Sequence, residues 1–188
     1  MVVELRSRAK KFAAAAGIIL AAASYVTLSA RQFLAAHYSD TPDVEHLGRA
    51  ARLDPSDANI QYQMGRYQLV MRQSPQEALA WLRRATELDG HAAKYWIDSA
   101  IAEQLLGNAD AEKVSLRRAL EADPGTPDTA WQAANLYLAM GSTDDAMRQF
   151  RTVLQNDPPR TNATIETCWK IKPDAGYLLA QVVPAAAY

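Results

Sequence analysis

The chain has 188 residues, of which 49% are hydrophobic and 22% charged, with a net charge of −1. This balance excludes the strong basic field typical of nucleic-acid-binding proteins, and the length is sufficient for one domain with an ordinary core. One cysteine, Cys168, excludes an intramolecular disulfide and a cysteine-based metal site. Alanine, leucine, glutamine, glutamate and arginine are abundant, a composition that favours helices.

An uncharged segment follows a basic N-terminus. Residues 12–30 contain no charge, and these 19 residues form a helix of about 28 Å, close to the bilayer core of roughly 30 Å. Only Arg31 follows directly, so the positive-inside rule places residues 1–11 in the cytoplasm as a basic tail. We therefore expect residues 12–30 to be a transmembrane helix that acts as a signal anchor. The basic residues before it are Arg6, Arg8, Lys10 and Lys11.

Two other interpretations of this segment stay open. A cleaved signal peptide would have a small-residue cleavage site at Ala21-Ala22-Ala23. The apolar stretch continues through Val26 and Leu28, which favours the uncleaved anchor. The third interpretation is a buried alanine-rich helix of a soluble protein, because alanine contributes little to membrane insertion.

A regular repeat organises the middle of the chain. Arg83, Arg117 and Arg151 are each 34 positions apart, and a fixed period with two helical patterns in each unit predicts stacked helical hairpins. Residues 58–90, 93–124 and 127–158 form the three units. The same period relates Leu82, Leu116 and Phe150, then Ala85, Ala119 and Val153, then Asp89, Asp123 and Asp157, and the pairs Gly107/Gly141 and Pro124/Pro158.

Each unit is predicted to contain a helix A, a short turn, a helix B and a second turn. Gly107 and Gly141 separate the two helices, at a point that often needs a left-handed C-cap. Residues 31–57 are interpreted as a partial repeat, in which the last turns of one long helix, residues 31–38, pack on a helix over residues 43–53.

These motifs resemble the tetratricopeptide repeat (TPR) family. The resemblance implies an all-α fold, a right-handed α-solenoid of about three TPR hairpins, here preceded by a transmembrane helix. Three departures stand out: an extra residue between Gly65 and Ala78, Glu112 where a small alanine is expected, and Trp131 one place late relative to Trp96. The matching residues are Met64-Gly65, Ala78, Leu82 and Ala85, then Trp96, Leu116, Ala119 and Pro124, then Tyr137, Gly141, Ala146, Phe150 and Pro158.

Residues 159–188 leave the period and are predicted to form C-terminal capping helices over 161–171 and 174–183. The chain ends at Tyr188 without a helix terminus or a polar tail, an ending typical of a piece of a longer protein.

No pattern in the sequence predicts catalysis, a cofactor or a metal. The three histidines are too scattered to form a helical ligand pair, and no phosphate-binding glycine loop or nucleophile elbow occurs. Cys168 lies on a short apolar helix and is expected to be a buried, unreactive thiol. The paired arginines of successive B helices are expected to form a solvated face with Glu87 and Glu121. The alternative is a basic ridge that binds anionic lipid heads or an acidic partner.

The resemblance implies that a partner binds the concave side, which helix A lines. The predicted groove has an aromatic and aliphatic stripe with one arginine. Only Lys94 and Asn135 fall near the positions with which some relatives clamp a peptide carboxylate, so no such clamp is predicted. Burial of part of the stripe by the chain's own tail is the alternative. The groove residues are Tyr62, Arg66, Ile97, Ile101, Trp131, Asn135 and Leu138.

We therefore expect a non-enzymatic adaptor on the bacterial inner membrane, with its repeats on the periplasmic side. Its partner is expected to be a protein or peptide with an apolar or aromatic segment, and its role to lie in envelope assembly or secretion. Two alternatives are a chaperone-like holder of exported polypeptides and a non-catalytic regulatory subunit of a polysaccharide or cytochrome assembly complex.

Overall fold

The computed structural model describes residues 8–40 and 43–184, which contain helices and no strand. Part of the predicted basic tail, including Arg6, and the last four residues lie outside the described residues. The chain divides into two compact units, residues 1–56 and residues 57–188.

The N-terminal unit is a pair of helices. α1 is continuous over Arg8–Ser39, and α2 occupies Val44–Leu53. α2 packs on α1, where Ala35 is buried. The Arg31 guanidinium donates a hydrogen bond to the carbonyl of Leu53 at 3.0 Å, so a cation lies at the carbonyl end of α2, where the helix dipole favours it.

α1 is long and apolar enough to cross a membrane, and it is the one such helix in the described ranges. Signal sequences share this length and composition. None of its apolar window is buried in the structure, whereas a helix of a soluble core buries most of its apolar surface. Its exposed apolar side chains continue past Arg31 to Phe33 and Leu34.

The second unit consists of helical hairpins in sequence order, a TPR-type solenoid. Repeat 1 contains α3 and α4, repeat 2 contains α5 and α6, and repeat 3 contains α7 and α8. Two further helices, α9 and α10, follow. Their bounds are α3 Ala58–Arg66, α4 Pro75–Leu88, α5 Ala93–Leu105, α6 Ala109–Ala122, α7 Pro127–Ala139, α8 Thr143–Asn156, α9 Thr161–Ile171 and α10 Ala175–Gln181.

The turns between A and B helices follow from glycine. Gly107 and Gly141 have φ angles of 73° and 74°, in the left-handed region that glycine enters without steric cost. The amide of Asn108 bonds to the carbonyl of Glu103 at 2.9 Å, which completes a Schellman cap. Both predicted C-caps are therefore confirmed.

Repeat 1 accommodates its extra residue in a π-helix. This π-helix covers Tyr67–Met71, directly after α3, whereas the sequence places the insertion near residues 72–75. Gln73 lies one full period before Gly107 and adopts the same left-handed turn, with a φ of 52°. The turn therefore keeps its register, and the insertion lies in helix A before it.

Hydrophobic clusters join each B helix to the helices that follow. The first contains Leu82 of α4 and Tyr95 of α5, and the second contains Leu116 of α6 and Ala133 of α7. The third joins Phe150 of α8 to residues of α9 and α10. Each hairpin thus buries its apolar face against its neighbour, which is how a solenoid builds a continuous core.

The C-terminal helices keep the period although their sequence loses the repeat motif. α5, α7 and α9 begin at Ala93, Pro127 and Thr161, each one period after the previous one. Cys168 lies one period after Ala134, and both are fully buried. α9 therefore takes the helix A position of a fourth repeat, so the prediction that the tail leaves the period is wrong for this helix.

Candidate partner-binding groove

The predicted groove positions recur on successive A helices but differ in exposure. Tyr62 is buried and Ile97 is only 1% exposed. Ile101, Trp131 and Leu138 are half-buried, and Arg66 and Asn135 are exposed. Because its side chain belongs to the core of repeats 2 and 3, Ile97 presents no surface to a partner in this structure.

A cationic and aromatic cluster forms where repeats 1 and 2 meet. The rings of Tyr62 and Tyr95 lie 4.6 Å apart between centroids. The Lys94 ammonium lies 5.0 Å from the first ring centroid and 5.4 Å from the second. The Arg66 guanidinium lies 5.8 Å from the Tyr62 centroid and forms an ion pair with Asp98, with Nε and Oδ2 3.4 Å apart. Sequence reasoning places Tyr62 and Arg66 in the groove, and the structure adds Tyr95 and Asp98.

The members of this cluster differ in their access to solvent. The Asp98 side chain is 14% exposed and that of Arg66 is 57% exposed. Burial raises the pKa of Asp98 above its ordinary value, although Arg66, the Tyr62 hydroxyl and Lys94 act in the opposite direction. Burial also raises the pKa of Tyr62, and the charge of Asp98 adds to that effect. The carboxyl therefore forms the floor of the cluster, and the two cations face solvent.

The predicted groove residues of repeat 3 carry no charge. Trp131 packs edge-on against Phe150, with ring centroids 5.5 Å apart. The Asn135 amide donates to the carbonyl of Trp131 at 2.9 Å, one turn earlier on α7. Trp131 and Leu138 pack against the cluster that α9 and α10 complete, and both are half-buried.

Two further residues extend this surface onto α9. Ile165 and Trp169 lie one period after Trp131 and Asn135, and they are 39% and 48% exposed. Thr164 and Cys168 lie one residue earlier, on the adjoining face of α9, and both are fully buried in the core. Sequence reasoning missed Ile165 and Trp169, although the spacing from Trp131 and Asn135 marks both positions.

The remaining candidate residues form no reactive site. Burial raises the pKa of the Cys168 thiol to about 11, which disfavours the nucleophilic thiolate. No cluster of three or more His, Cys, Asp or Glu side chains suited to a metal occurs in residues 8–40 and 43–184. Several arginines of the B helices pair with acidic neighbours on the same helix, as Arg84 does with Glu87 and Arg118 with Glu121.

The described chain resembles solved structures of TPR proteins. The crystal structure of MamA protein matches with a TM-score of 0.61 at 16% identity, over 82% of this chain and 87% of that one. A second MamA structure has a TM-score of 0.58 at 17% identity, over 73% and 81%. YrrB, a TPR protein with an unusual peptide-binding site, matches with a TM-score of 0.53 at 19% identity, over 65% of this chain and 62% of that one.

At these identities the likeness establishes the fold: the chain forms a TPR-type α-solenoid. TPR proteins are generally non-catalytic scaffolds. No protein-family model matches the sequence, and no curated protein matches it.

Proposed function

We propose that this protein is a membrane-anchored TPR scaffold that binds a segment of a protein partner in the groove formed by its A helices. A row of partly exposed apolar side chains on the successive A helices α5 and α7 carries this proposal. The row runs through Ile101, Trp131 and Leu138. Side chains of this kind gain free energy when an apolar or aromatic segment covers them, so a partner with such a segment fits them best.

The anchor in this proposal is α1. Its length, its lack of charge between residues 12 and 30, and its unburied apolar surface all support a membrane-spanning helix. The excess of basic residues before it favours a cytoplasmic N-terminus and periplasmic repeats at the bacterial inner membrane. Tethering then raises the local concentration of a partner near the membrane, a mechanism suited to envelope assembly or secretion.

Site-specific photo-crosslinking in living cells tests the groove. A photoreactive amino acid at Ile101 or Leu138 is expected to crosslink a small set of proteins, and the same group at Val114 serves as the control. Val114 is an apolar, exposed residue on a B helix, so it matches the groove positions in chemistry but not in place. Equal crosslinking from Val114 would contradict a groove-based mechanism. Crosslinks to many unrelated exported chains would favour the chaperone-like alternative, and recovery of one enzyme complex would favour the regulatory subunit.

Protease digestion of spheroplasts tests the topology. Cleavage of the repeats in a full-length, membrane-retained chain is the expected result. Protection of the repeats until the membrane is dissolved would place them in the cytoplasm and would remove the periplasmic role.

A further inference from the structure

We propose that the groove has a direction: it selects partner segments that are acidic at one end and aromatic or aliphatic at the other. This inference rests on the proposed partner-binding function and specifies the chemistry of the partner. It depends on how the charges are distributed along the A helices from α3 to α9.

The end formed by α3 and α5 presents two cations to solvent. Arg66 and Lys94 are both exposed, and the only carboxylate with which either forms an ion pair in the described residues is the half-buried Asp98, which pairs with Arg66. Arg66 and Lys94 are therefore two exposed cations beside one partly buried carboxylate. The Lys94 ammonium rests over two tyrosine rings rather than against an anion, so it can take up a partner's carboxylate without first breaking an ion pair.

Two other carboxylates influence the pKa of Tyr95, and both accept hydrogen bonds from backbone amides. Asp57 and Asp89 help to raise the pKa of Tyr95, after the larger effect of burial. Asp57 caps α3 by accepting hydrogen bonds from the amides of Asn59 and Ile60 at 2.8 and 3.1 Å. Asp89 accepts from the amide of His91 at 3.0 Å. Both carboxylates keep their negative charge, but they are partly buried and hold backbone amides, whereas Arg66 and Lys94 are exposed. A partner in the groove therefore meets the two cations first.

The end formed by α7 and α9 exposes apolar side chains. The positions equivalent to Tyr62 and Arg66 there are Trp131, Asn135, Ile165 and Trp169, none of which is charged. The charged residues around them have partners within the chain: Asp128 of α7 pairs with Arg160 at 2.6 Å, and the Lys172 ammonium lies 3.5 Å from the ring centroid of Tyr177 on α10. The neighbouring charges of α9 pair with each other, since the Lys170 ammonium lies 2.7 Å from a Glu166 carboxylate oxygen. Because these charges are engaged within the chain, a charged partner residue at this end would lose hydration for little gain, whereas an aromatic or aliphatic residue would cover Trp169.

A selection from random peptides tests the direction even though the natural partner is unidentified. The full chain, held in lipid nanodiscs, is presented with displayed random peptides that carry a constant glycine–serine linker on both sides, so that no free terminal carboxylate is available. Enriched peptides are expected to carry Asp or Glu toward one end and aromatic or aliphatic residues toward the other. A photoreactive group at the apolar end of such a peptide is expected to crosslink to α9 rather than to α3.

Point variants measure both ends of the groove. Lys94→Gln and Arg66→Gln should each weaken binding of a selected peptide about twofold to tenfold, and this loss should shrink at high salt. Trp169→Ala should weaken binding about tenfold. Arg83→Gln and Leu179→Ala are the matched controls, because both residues are exposed and lie on α4 and α10 rather than on the helices that form the groove. Neither control should change the affinity.

The outcomes separate this inference from the proposed function. If no peptide is enriched, both are refuted. Enriched peptides without an acidic end, or crosslinks from the apolar end to α3, would overturn the direction and leave the groove in place. An equal loss of affinity in Arg83→Gln and Lys94→Gln would also overturn it, because the effect would then depend on overall charge alone.

Discussion

Replacing Gly65 by alanine measures how closely α3 and α4 approach each other in repeat 1. A Cβ atom at this position would lie 2.7 Å from Cγ and 2.8 Å from Cδ2 of Leu82, and 3.3 Å from its backbone nitrogen. Leu82 is fully buried, and because its backbone is also close, a side-chain rotation alone cannot make room. Overpacking of this kind costs about 1–3 kcal/mol, whereas alanine gains about 1 kcal/mol over glycine inside a helix. We therefore expect a net destabilisation of up to about 2 kcal/mol.

The same substitution at Gly48 is the control. Gly48 lies inside α2, and the nearest atom to an added Cβ is a guanidinium nitrogen of Arg52 at 4.0 Å. Gly48→Ala should therefore stabilise its helix by about 1 kcal/mol. Native-state hydrogen exchange suits the comparison because repeat proteins unfold locally, and it reports each helix separately. We expect Gly65→Ala to lower the protection of α3 and α4, and Gly48→Ala to raise that of α2.

A double-mutant cycle identifies the cause. Leu82→Ala should cost about 2–5 kcal/mol alone and clearly less in the Gly65→Ala background, because the smaller side chain leaves room for the new Cβ. Unchanged or higher protection of α3 and α4 in Gly65→Ala would refute the close approach. If the free-energy costs of the two substitutions are additive, the new Cβ at position 65 does not clash with the Leu82 side chain.

Three other predictions use the turns, a buried carboxyl and the thiol. Gln73→Gly should stabilise repeat 1 by about 0.5–1 kcal/mol in thermal unfolding, because glycine adopts the left-handed turn without strain, whereas Gly107→Ala should destabilise repeat 2. Burial raises the pKa of Glu112 above its ordinary value of 4.5, against the opposite effect of the hydrogen bond from Gln104. The stability that the protonated Glu112 carboxyl contributes is therefore fully present below pH 4.5 and is lost as the pH rises through the folded-state pKa. Glu112→Gln should consequently gain stability relative to the parent protein between acidic and neutral pH. A difference in stability that does not change with pH would contradict the raised pKa. The Cys168 thiol should react with a thiol reagent at neutral pH only after denaturation, because it is fully buried. Rapid labelling of the folded chain would show that α9 does not hold this thiol in the core.

Much of the fold could be predicted because the residues that pack between helices recur at a fixed spacing in the sequence. Leu82, Leu116 and Phe150 are fully buried, as their shared spacing predicts for positions that fill the space between hairpins. Gly107 and Gly141 mark the turns because a left-handed residue is needed there. Constraints of this kind act on residue size and backbone conformation, so they leave a visible pattern in the sequence.

The departures from the pattern had different outcomes. Glu112 keeps its place in the core, where its Oε1 accepts a hydrogen bond from the Gln104 amide at 3.0 Å. Trp96 and Trp131 occupy different positions: the Trp96 indole donates to the carbonyl of Gly90 at 2.8 Å, whereas Trp131 packs against Phe150. The π-helix could not be located from sequence, because a one-residue insertion fits a helix or a turn equally well until the turn residue is identified.

The groove was less predictable than the fold, because exposure depends on neighbours that the period does not specify. Tyr62, Ile97, Trp131 and Ile165 occupy equivalent positions on successive A helices, yet the first two are buried and the last two are partly exposed. Tyr62 is covered in part by the ring of Tyr95, a contact specific to repeats 1 and 2.

The repeat period therefore reflects the core positions that the hairpins have in common, whereas a binding surface depends on the surface positions at which the hairpins differ. Ala100, Ala134 and Cys168 are interchangeable because each must only be small enough to let two helices meet. Lys94 and its equivalent Asp128 show the opposite case: the ammonium of Lys94 lies over two aromatic rings, whereas Asp128 forms an ion pair with Arg160 at 2.6 Å. One position thus supplies a solvent-facing cation in repeat 2 and, in repeat 3, a carboxylate that shares the Arg160 guanidinium with Asp157. This change of charge along equivalent positions is what a directional partner segment would recognise.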